Sequence, residues 1–395
     1  ARLRLGGERD CIWIHAVSVG EVLAVAGLVQ QIRRQFPDRR VFISTTTTTG
    51  QKLASSKFGA ENVFYFPLDF AFAIRAWLRA LQPALVVVAE TEFWPNFLRL
   101  AKSSGATIAV VNARISDRSL PRYLYLRAIF RRVLRHVDLF LAQSDEDLRR
   151  LLAIGAEPSR VKVSGNLKFD IAPPAHPPDI VGWLRSAMIA GGAGPVIVAG
   201  STVEGEEVQV VDAFGTVFER TANAVLVLAP RHPERFAAVA DIVSGSRLPF
   251  WRRSQWNDQQ AIGGGVFLLD SIGELGAIYS LADIAFVGGS LAKRGGHNIL
   301  EPASYGVPVI VGPHTENFRD IVEIFRRAAA VTLVHSELEL RAEFVALLAD
   351  GAKRRELGER AAALVTQQAG TTARTLAELE TLLASSHSRS RRRRQ

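Results

Sequence analysis

Carboxylates, hydroxyls and cations recur where apolar runs give way to polar, glycine-containing segments. His15-Ala16-Val17-Ser18-Val19-Gly20-Glu21 is the first of these. Gly20 and its small neighbours let a ligand approach the backbone, a helix start there favours an anion, and Glu21 is placed to point from it into a cleft. Ser18 and Glu21 also have capping-box spacing, so a purely structural reading stands beside the functional one. Thr45–Thr49, followed by Gly50, repeats the arrangement; its hydroxyls suit a loop lining a polar ligand or a local cap equally well. In Glu90-Thr91-Glu92-Phe93-Trp94-Pro95-Asn96, two carboxylates leave the most apolar run of the first half, which is costly unless they are solvated or paired. Glu92, close to Pro95, reads as a first-turn acid, and Glu90, nearer the core, is the candidate for a site. Lys168, in Gly165-Asn166-Leu167-Lys168-Phe169-Asp170, can reach an anion or pair with Asp170.

The second half carries four comparable segments. Gly200-Ser201-Thr202-Val203-Glu204-Gly205-Glu206 offers backbone N–H groups and the Ser201 and Thr202 hydroxyls to an anion. In Pro230-Arg231-His232-Pro233, the Arg231 guanidinium can fork onto a phosphate or carboxylate. Asp270-Ser271-Ile272-Gly273-Glu274-Leu275 is the third. The fourth joins Gly288-Gly289-Ser290 to Gly295-Gly296-His297-Asn298-Ile299-Leu300-Glu301-Pro302: the glycines and a helix start at Asn298 make an anion cradle, and Glu301 can take two ribose hydroxyls. Together they predict nucleotide binding. No Walker A sequence or dinucleotide fingerprint occurs. Asp145-Glu146-Asp147 follows Ser144 as first-turn acids do. The histidines lack metal-ligand spacing, so neither a metal nor a cofactor is expected.

The elements that must position these residues follow a regular rhythm. Short apolar runs at Cys11–Val17, Val41–Thr45, Val63–Phe66, Leu85–Ala89, Thr107–Asn112, Leu139–Ala142 and Val161–Val163 alternate with helical stretches at Val22–Phe36, Ala71–Leu81, Pro95–Ser103 and Arg122–Arg135. That is the pattern of a parallel sheet covered on both faces. Four prolines between Pro173 and Pro178 read as a linker, after which strands recur at Val196–Ala199, Val225–Leu228, Val266–Leu269, Ile284–Val287, Val307–Val311 and Ala330–Leu333. A helical end runs from about Ser336 to Leu383. Ser254–Gly265 reads as a mobile loop. The expectation is an α/β protein of two doubly wound, Rossmann-like domains, 1–171 and 172–384, with an interdomain cleft and a disordered Arg/Ser tail at 385–395.

Composition narrows the classes further. The 395 residues are 48% hydrophobic and 22% charged, a globular balance. A single cysteine excludes a disulfide scaffold. Five of the nine net positive charges are arginines of the last seven residues, leaving about +4 for the body, and those arginines have no interleaved aromatics, so a nucleic-acid partner is not expected. No apolar run reaches the roughly 18 residues of a membrane-spanning helix.

Taken together, HAVSVGE at 15–21, TTTTTG at 45–50, ETEFWPN at 90–96, NAR at 112–114, GNLKFD at 165–170, GSTVEGEE at 200–207, PRHPERF at 230–236, GEL at 273–275 and the long block at 288–318 resemble the bacterial 3-deoxy-D-manno-octulosonic acid (Kdo) transferases. The resemblance implies a GT-B fold and inverting transfer of Kdo from CMP-Kdo onto lipid A precursor. It places the work at the cytoplasmic face of the inner membrane, with an anionic membrane surface as partner and an N-terminal anchor preceding Ala1. It implies Glu21 as general base, Glu90 and Lys168 as the pair that stabilises the transition state, and Pro230, Arg231, Ile272, Gly273, Glu274, Asn298, Ile299, Leu300 and Glu301 as CMP-binding positions. Ser18, Gly20, Ser201, Thr202 and His232 are secondary candidates. The alternative is another GT-B enzyme acting on a UDP-sugar. The Arg-rich tail and the loop at Ser254–Gly265 depart from the family pattern.

Overall fold

The computed structural model describes residues 11–170, 178–257 and 260–392, with side chains through 385. The proline-rich segment at 171–177 lies outside the described residues. The chain divides into two compact units, Ala1–Asp170 with Gln368–Gln395, and Ile171–Gln367.

In the first unit the strands are β1 (Cys11–His15), β2 (Arg40–Thr45), β3 (Val63–Tyr65), β4 (Pro83–Ala89), β5 (Thr107–Ala113), β6 (Leu139–Ala142) and β7 (Val161–Val163). They form one parallel sheet in the order β3-β2-β1-β4-β5-β6-β7. Helices α1 (Val19–Gln35), α2 (Thr48–Phe58), α3 (Ala71–Leu81), α4 (Pro95–Ser103), α5 (Leu120–Tyr125), α6 (Arg127–Leu134) and α7 (Asp145–Ala153) are the crossovers. All seven residues of β4 are buried, because cores lie on both faces of the sheet: Trp13, Val86, Val88 and Phe140 on one side, Ile14, Val87, Val111 and Leu141 on the other. The helix expected at Arg122–Arg135 is broken at Leu126 (φ −95°, ψ 19°) into α5 and α6.

The second unit repeats the plan with β8 (Val196–Thr202), β9 (Val225–Pro230), β10 (Phe250–Arg252), β11 (Gly265–Leu268), β12 (Ile284–Val287), β13 (Val309–Val311) and β14 (Thr332–Leu333), ordered β10-β11-β9-β8-β12-β13-β14 and again parallel. Its helices are α8 (Asp179–Gly191), α9 (Glu206–Arg220), α10 (Phe236–Gly245), α11 (Leu275–Ile278), α12 (Leu300–Ser304), α13 (Arg319–Arg327), α14 (Glu337–Ala349) and α15 (Gly351–Gln368). The edge strand β10 carried no clear alternation in sequence. The loop expected at Ser254–Gly265 is pinned by its ends: Ser254 donates N–H and hydroxyl to Asp270, Trp256 is buried, and Ile262 N–H donates to the Ala187 carbonyl.

The last helix, α16 (Thr371–Arg392), departs from the expected boundaries. A second domain ending at 384 was expected, but Leu379 and Leu383 are buried in the core beneath α1, so α16 packs with the first unit. Its backbone stays helical to Arg392, where a disordered tail from 385 was expected; a helix already nucleated by packing extends through tolerant residues such as Ser and Arg at little cost. Residues 393–395 lie outside the described residues.

Candidate functional site

In open parallel sheets the chemistry collects where the strand order reverses, beyond the carboxyl ends of the two strands concerned. In the first unit those strands are β1 and β4. Glu21 follows β1 and Glu90 follows β4. Ser18 is the N-cap of α1: its hydroxyl oxygen accepts the Glu21 N–H at 3.4 Å and donates to Glu21 Oε1 at 2.9 Å. Glu21 Oε2 accepts the Val17 N–H at 2.8 Å. The capping reading is thus realised, and it fixes the carboxylate rather than using it up. Glu21 is 7% exposed, and burial, followed by the negative charge of Glu90, pushes its pKa up to about 7 against the pull of the Val17 and Ser18 hydrogen bonds.

Glu90 adopts a left-handed backbone (φ 55°), a conformation that costs a non-glycine residue of order 1 kcal/mol and persists only where the surroundings impose it. Its N–H is held by the Val111 carbonyl at 2.9 Å. Lys168 Nζ lies 3.9 Å from Glu90 Oε1, with both side chains partly exposed. The pairing of Lys168 with Asp170 does not form. Asp170 instead accepts the N–H groups of Gly370, Thr371 and Thr372, capping α16. Glu92 is not a first-turn acid: α4 starts at Pro95 and is capped by Asp69, whose carboxylate accepts the Asn96 and Phe97 N–H groups. Glu92 joins the acidic cluster, and burial and then the charge of Glu90 raise its pKa.

The surroundings of this cluster are structural. His15 is fully buried against Ser44 and Phe66, and burial holds its pKa down to about 3, so the ring is neutral. Thr47 caps α2, accepting the Gly50 N–H and donating to the Val17 carbonyl, which ties the β2 loop to the β1 loop. Gly50 is required there, because a Cβ would stand 2.8 Å from the Thr47 hydroxyl. Gly20 is exposed beside Glu21. Asp147 is committed to the N-terminus of α7 and to the Ile115 N–H.

In the second unit the reversal lies between β8 and β12. Arg231 follows β9, its N–H donating to the Thr202 carbonyl, and its side chain is exposed. Among the described residues it has no carboxylate within ion-pair distance. Its charge reaches Glu301 and His297: burial raises the Glu301 pKa while Asn298 and Arg231 oppose it, and burial, followed by the charges of Arg231 and His232, takes His297 down to about 4. Asn298 donates from Nδ2 to Glu301 Oε1 at 3.1 Å and accepts the Leu300 N–H. Arg231, His297, Asn298 and Glu301 therefore share one electrostatic neighbourhood. His232 lies 3.9 Å from Glu234. Ile299 and Leu300 are fully buried, so their side chains are not available to a ligand. Ile272 is 68% exposed beside Gly273 (φ 93°), and Glu274 is held in a fork by Arg253 at 3.1 and 3.2 Å. Ser201 is left-handed (φ 57°) and Thr202 fully buried.

The glycine-rich segment after β12 differs from the expected open cradle. Its N–H groups converge on Glu206, a residue of this same unit. The spacing of the motifs did not reveal Arg253, nor the contacts made by Glu92 and Glu206. Among the described residues no group of three or more His, Cys, Asp or Glu could hold a metal ion, and no helix is long and apolar enough to cross a membrane.

Comparison with known proteins bears on the family and the fold. The family model for 3-deoxy-D-manno-octulosonic-acid transferase (kdotransferase) matches residues 1–171. The chain is 35% identical over 347 residues to the 3-deoxy-D-manno-octulosonic acid transferase of Haemophilus influenzae, covering 87% of this chain and 80% of that one. It is 37% identical over 381 residues to the enzyme of that description from Bordetella pertussis, covering 93% and 86%. Among solved structures, UDP-GlcNAc 2-epimerase from Neisseria meningitidis bound to UDP-GlcNAc superposes with a TM-score of 0.56 at 13% identity, over 95% of this chain and all of that one, a likeness of fold alone. Two parallel seven-stranded units of the GT-B kind and relatives matched over most of their length lead to one conclusion: the chain belongs to the 3-deoxy-D-manno-octulosonic acid (Kdo) transferases.

Proposed function

We propose that this chain transfers Kdo from CMP-Kdo to lipid A precursor (lipid IVA), with inversion at the anomeric carbon, Glu21 as general base and no metal. The observation that carries the reading is the carboxylate of Glu21, buried, hydrogen-bonded on both oxygens and poised with a pKa of about 7. A base of that pKa is ionised in a large fraction of molecules at neutral pH and still basic enough to accept a proton in the transition state. The acceptor hydroxyl oxygen attacks the anomeric carbon of Kdo as its proton passes to Glu21. The bond from that carbon to the CMP phosphate oxygen breaks with its electron pair leaving on CMP. Attack from the face opposite the departing nucleotide inverts the centre.

The developing charges need fixed partners. Arg231, exposed and without an ion-pair partner among the described residues, suits the leaving phosphate, and Glu301 beside it suits the ribose hydroxyls. Glu90 offers negative charge to the cationic character of the anomeric carbon, and Lys168 beside it offers a cation to the carboxylate of Kdo.

An anionic membrane surface, the cytoplasmic face of the inner membrane, fits the outer face of α5 and α6. Tyr125 is 89% exposed there with Leu124 and Ile129, among the exposed Arg122, Arg127, Arg131 and Arg132. Apolar side chains flanked by arginines are what a lipid surface with phosphate headgroups recognises.

The test is mass spectrometry of lipid products after incubation with CMP-Kdo and tetraacyl lipid A precursor. The reading requires products heavier by whole Kdo units. Turnover with UDP-sugars alone would replace it with the UDP-sugar alternative.

A further inference from the structure

The place where β8 and β12 diverge is where an open parallel sheet ordinarily receives a phosphate on backbone N–H groups. In this chain that place is filled from within. Glu206, the first residue of α9 and fully buried, accepts the N–H groups of Gly289 at 2.6 Å, Ser290 at 2.9 Å, Leu291 at 2.8 Å and Ala292 at 3.1 Å, with the Val203 N–H at 3.1 Å. Consecutive N–H groups converging on one anion form a nest, the arrangement that holds phosphates elsewhere. The fit is close: a Cβ on Gly288 would stand 2.6 Å from Thr202 Cα and 2.9 Å from Glu206 Oε2. The Ser290 hydroxyl donates to the Val287 carbonyl at 2.6 Å and accepts the Gly312 N–H at 2.8 Å. Gly296 N–H returns to the Gly289 carbonyl at 2.7 Å, so the path of 289–292 sets where His297 to Glu301 begin.

We infer that Glu206 is a positioning and specificity residue for the donor: its carboxylate occupies the anion nest of the second unit and so restricts the donor to a single phosphate. The inference rests on the CMP-Kdo reading above and deepens it. A nucleoside diphosphate would bring its second phosphate to a nest already occupied, and to a like charge that burial leaves unscreened. A single phosphate needs only the Arg231 guanidinium, which has no carboxylate within ion-pair distance among the described residues.

Glu206→Ala in this chain empties the nest and leaves Arg231 itself unaltered. Calorimetric titration of CMP and CDP into both proteins reads the consequence. Wild type prefers CMP, and in the variant the preference narrows by roughly tenfold or more, the scale of one charge-assisted hydrogen bond. Formate, a carboxylate small enough to refill the nest, restores the preference and raises the melting temperature of the variant without affecting wild type. An unchanged CMP-to-CDP ratio, or a narrowed ratio that formate leaves alone, overturns the inference. Wild type that binds no CMP overturns the donor reading instead, and the formate-dependent melting of the variant still decides whether the nest is an anion site. If Glu206→Ala does not fold, Glu206→Asp, which withdraws the charge by one methylene, is titrated in the same way: a narrowed ratio supports the inference and an unchanged one overturns it.

Discussion

Replacing Ser18 by alanine separates the two roles its hydroxyl plays. The hydroxyl caps α1, accepting the Glu21 N–H at 3.4 Å, and it donates to Glu21 Oε1 at 2.9 Å. Loss of the cap costs about 1 kcal/mol of stability. Loss of the donated bond acts on Glu21 itself. Burial and Glu90 have already raised that carboxyl from 4.5 to about 7, so ionising it costs roughly 3 kcal/mol more than in water. A hydrogen bond to a charged group contributes about 1.5 kcal/mol at the low end, so removing it lifts the pKa by roughly one further unit. The base acts only when ionised, so transfer rises with pH through this value. At pH 7 the ionised fraction drops from roughly one half to one tenth, about a fivefold loss of rate, while by pH 9 the two proteins differ little. The assay is initial rate of Kdo transfer against pH for both proteins, with thermal melts alongside. The expected result is an ascending limb displaced to alkaline pH in Ser18→Ala. A uniform loss at every pH, with the limb unmoved, would mean that the hydroxyl only caps the helix and that Glu21 does not govern the profile.

Two further substitutions probe the frame. Glu90→Gly removes the carboxylate and relieves the left-handed strain at φ 55°, so transfer should fall by at least a hundredfold while stability is kept or rises by up to about 1 kcal/mol; a marked drop in the denaturation midpoint would refute the strain argument. Asp170→Ala strips the cap from α16 and should cost about 1–2 kcal/mol, read as a lower denaturation midpoint with faster hydrogen exchange in residues 371–383; unchanged exchange there would show that the cap contributes nothing.

Much of this was legible in the sequence, for identifiable reasons. β4 is buried on both faces, so its residues read as one apolar run, and the polar residues beyond its end stood out against it. Glu21 and Glu90 stood out as candidates because each follows the end of such a strand, and Lys168 because it lies just before the proline-rich segment. What escaped depends on contacts between distant positions. Where α4 begins is set by Asp69, 27 residues before Asn96, so Glu92 could not be separated from a first-turn acid by local spacing. The segment Gly200 to Glu206 showed its capacity to receive an anion, whereas Glu206 itself supplies one to a loop 83 residues on. The helical end expected from about Ser336 to Leu383 did not say which unit buries it, a choice made by Leu379 and Leu383 against the core beneath α1. Leu126, where α5 gives way to α6, carries no glycine or proline to mark the break.

The central claim, that the Glu21 carboxylate removes the proton of the acceptor hydroxyl, is tested most directly by single-turnover transfer from CMP-Kdo by Glu21→Gln, which keeps the shape of the side chain and removes its basicity. Transfer should slow by about 10²- to 10⁴-fold while calorimetry finds CMP bound as in wild type. Transfer at the wild-type rate by a variant that binds CMP normally would contradict it.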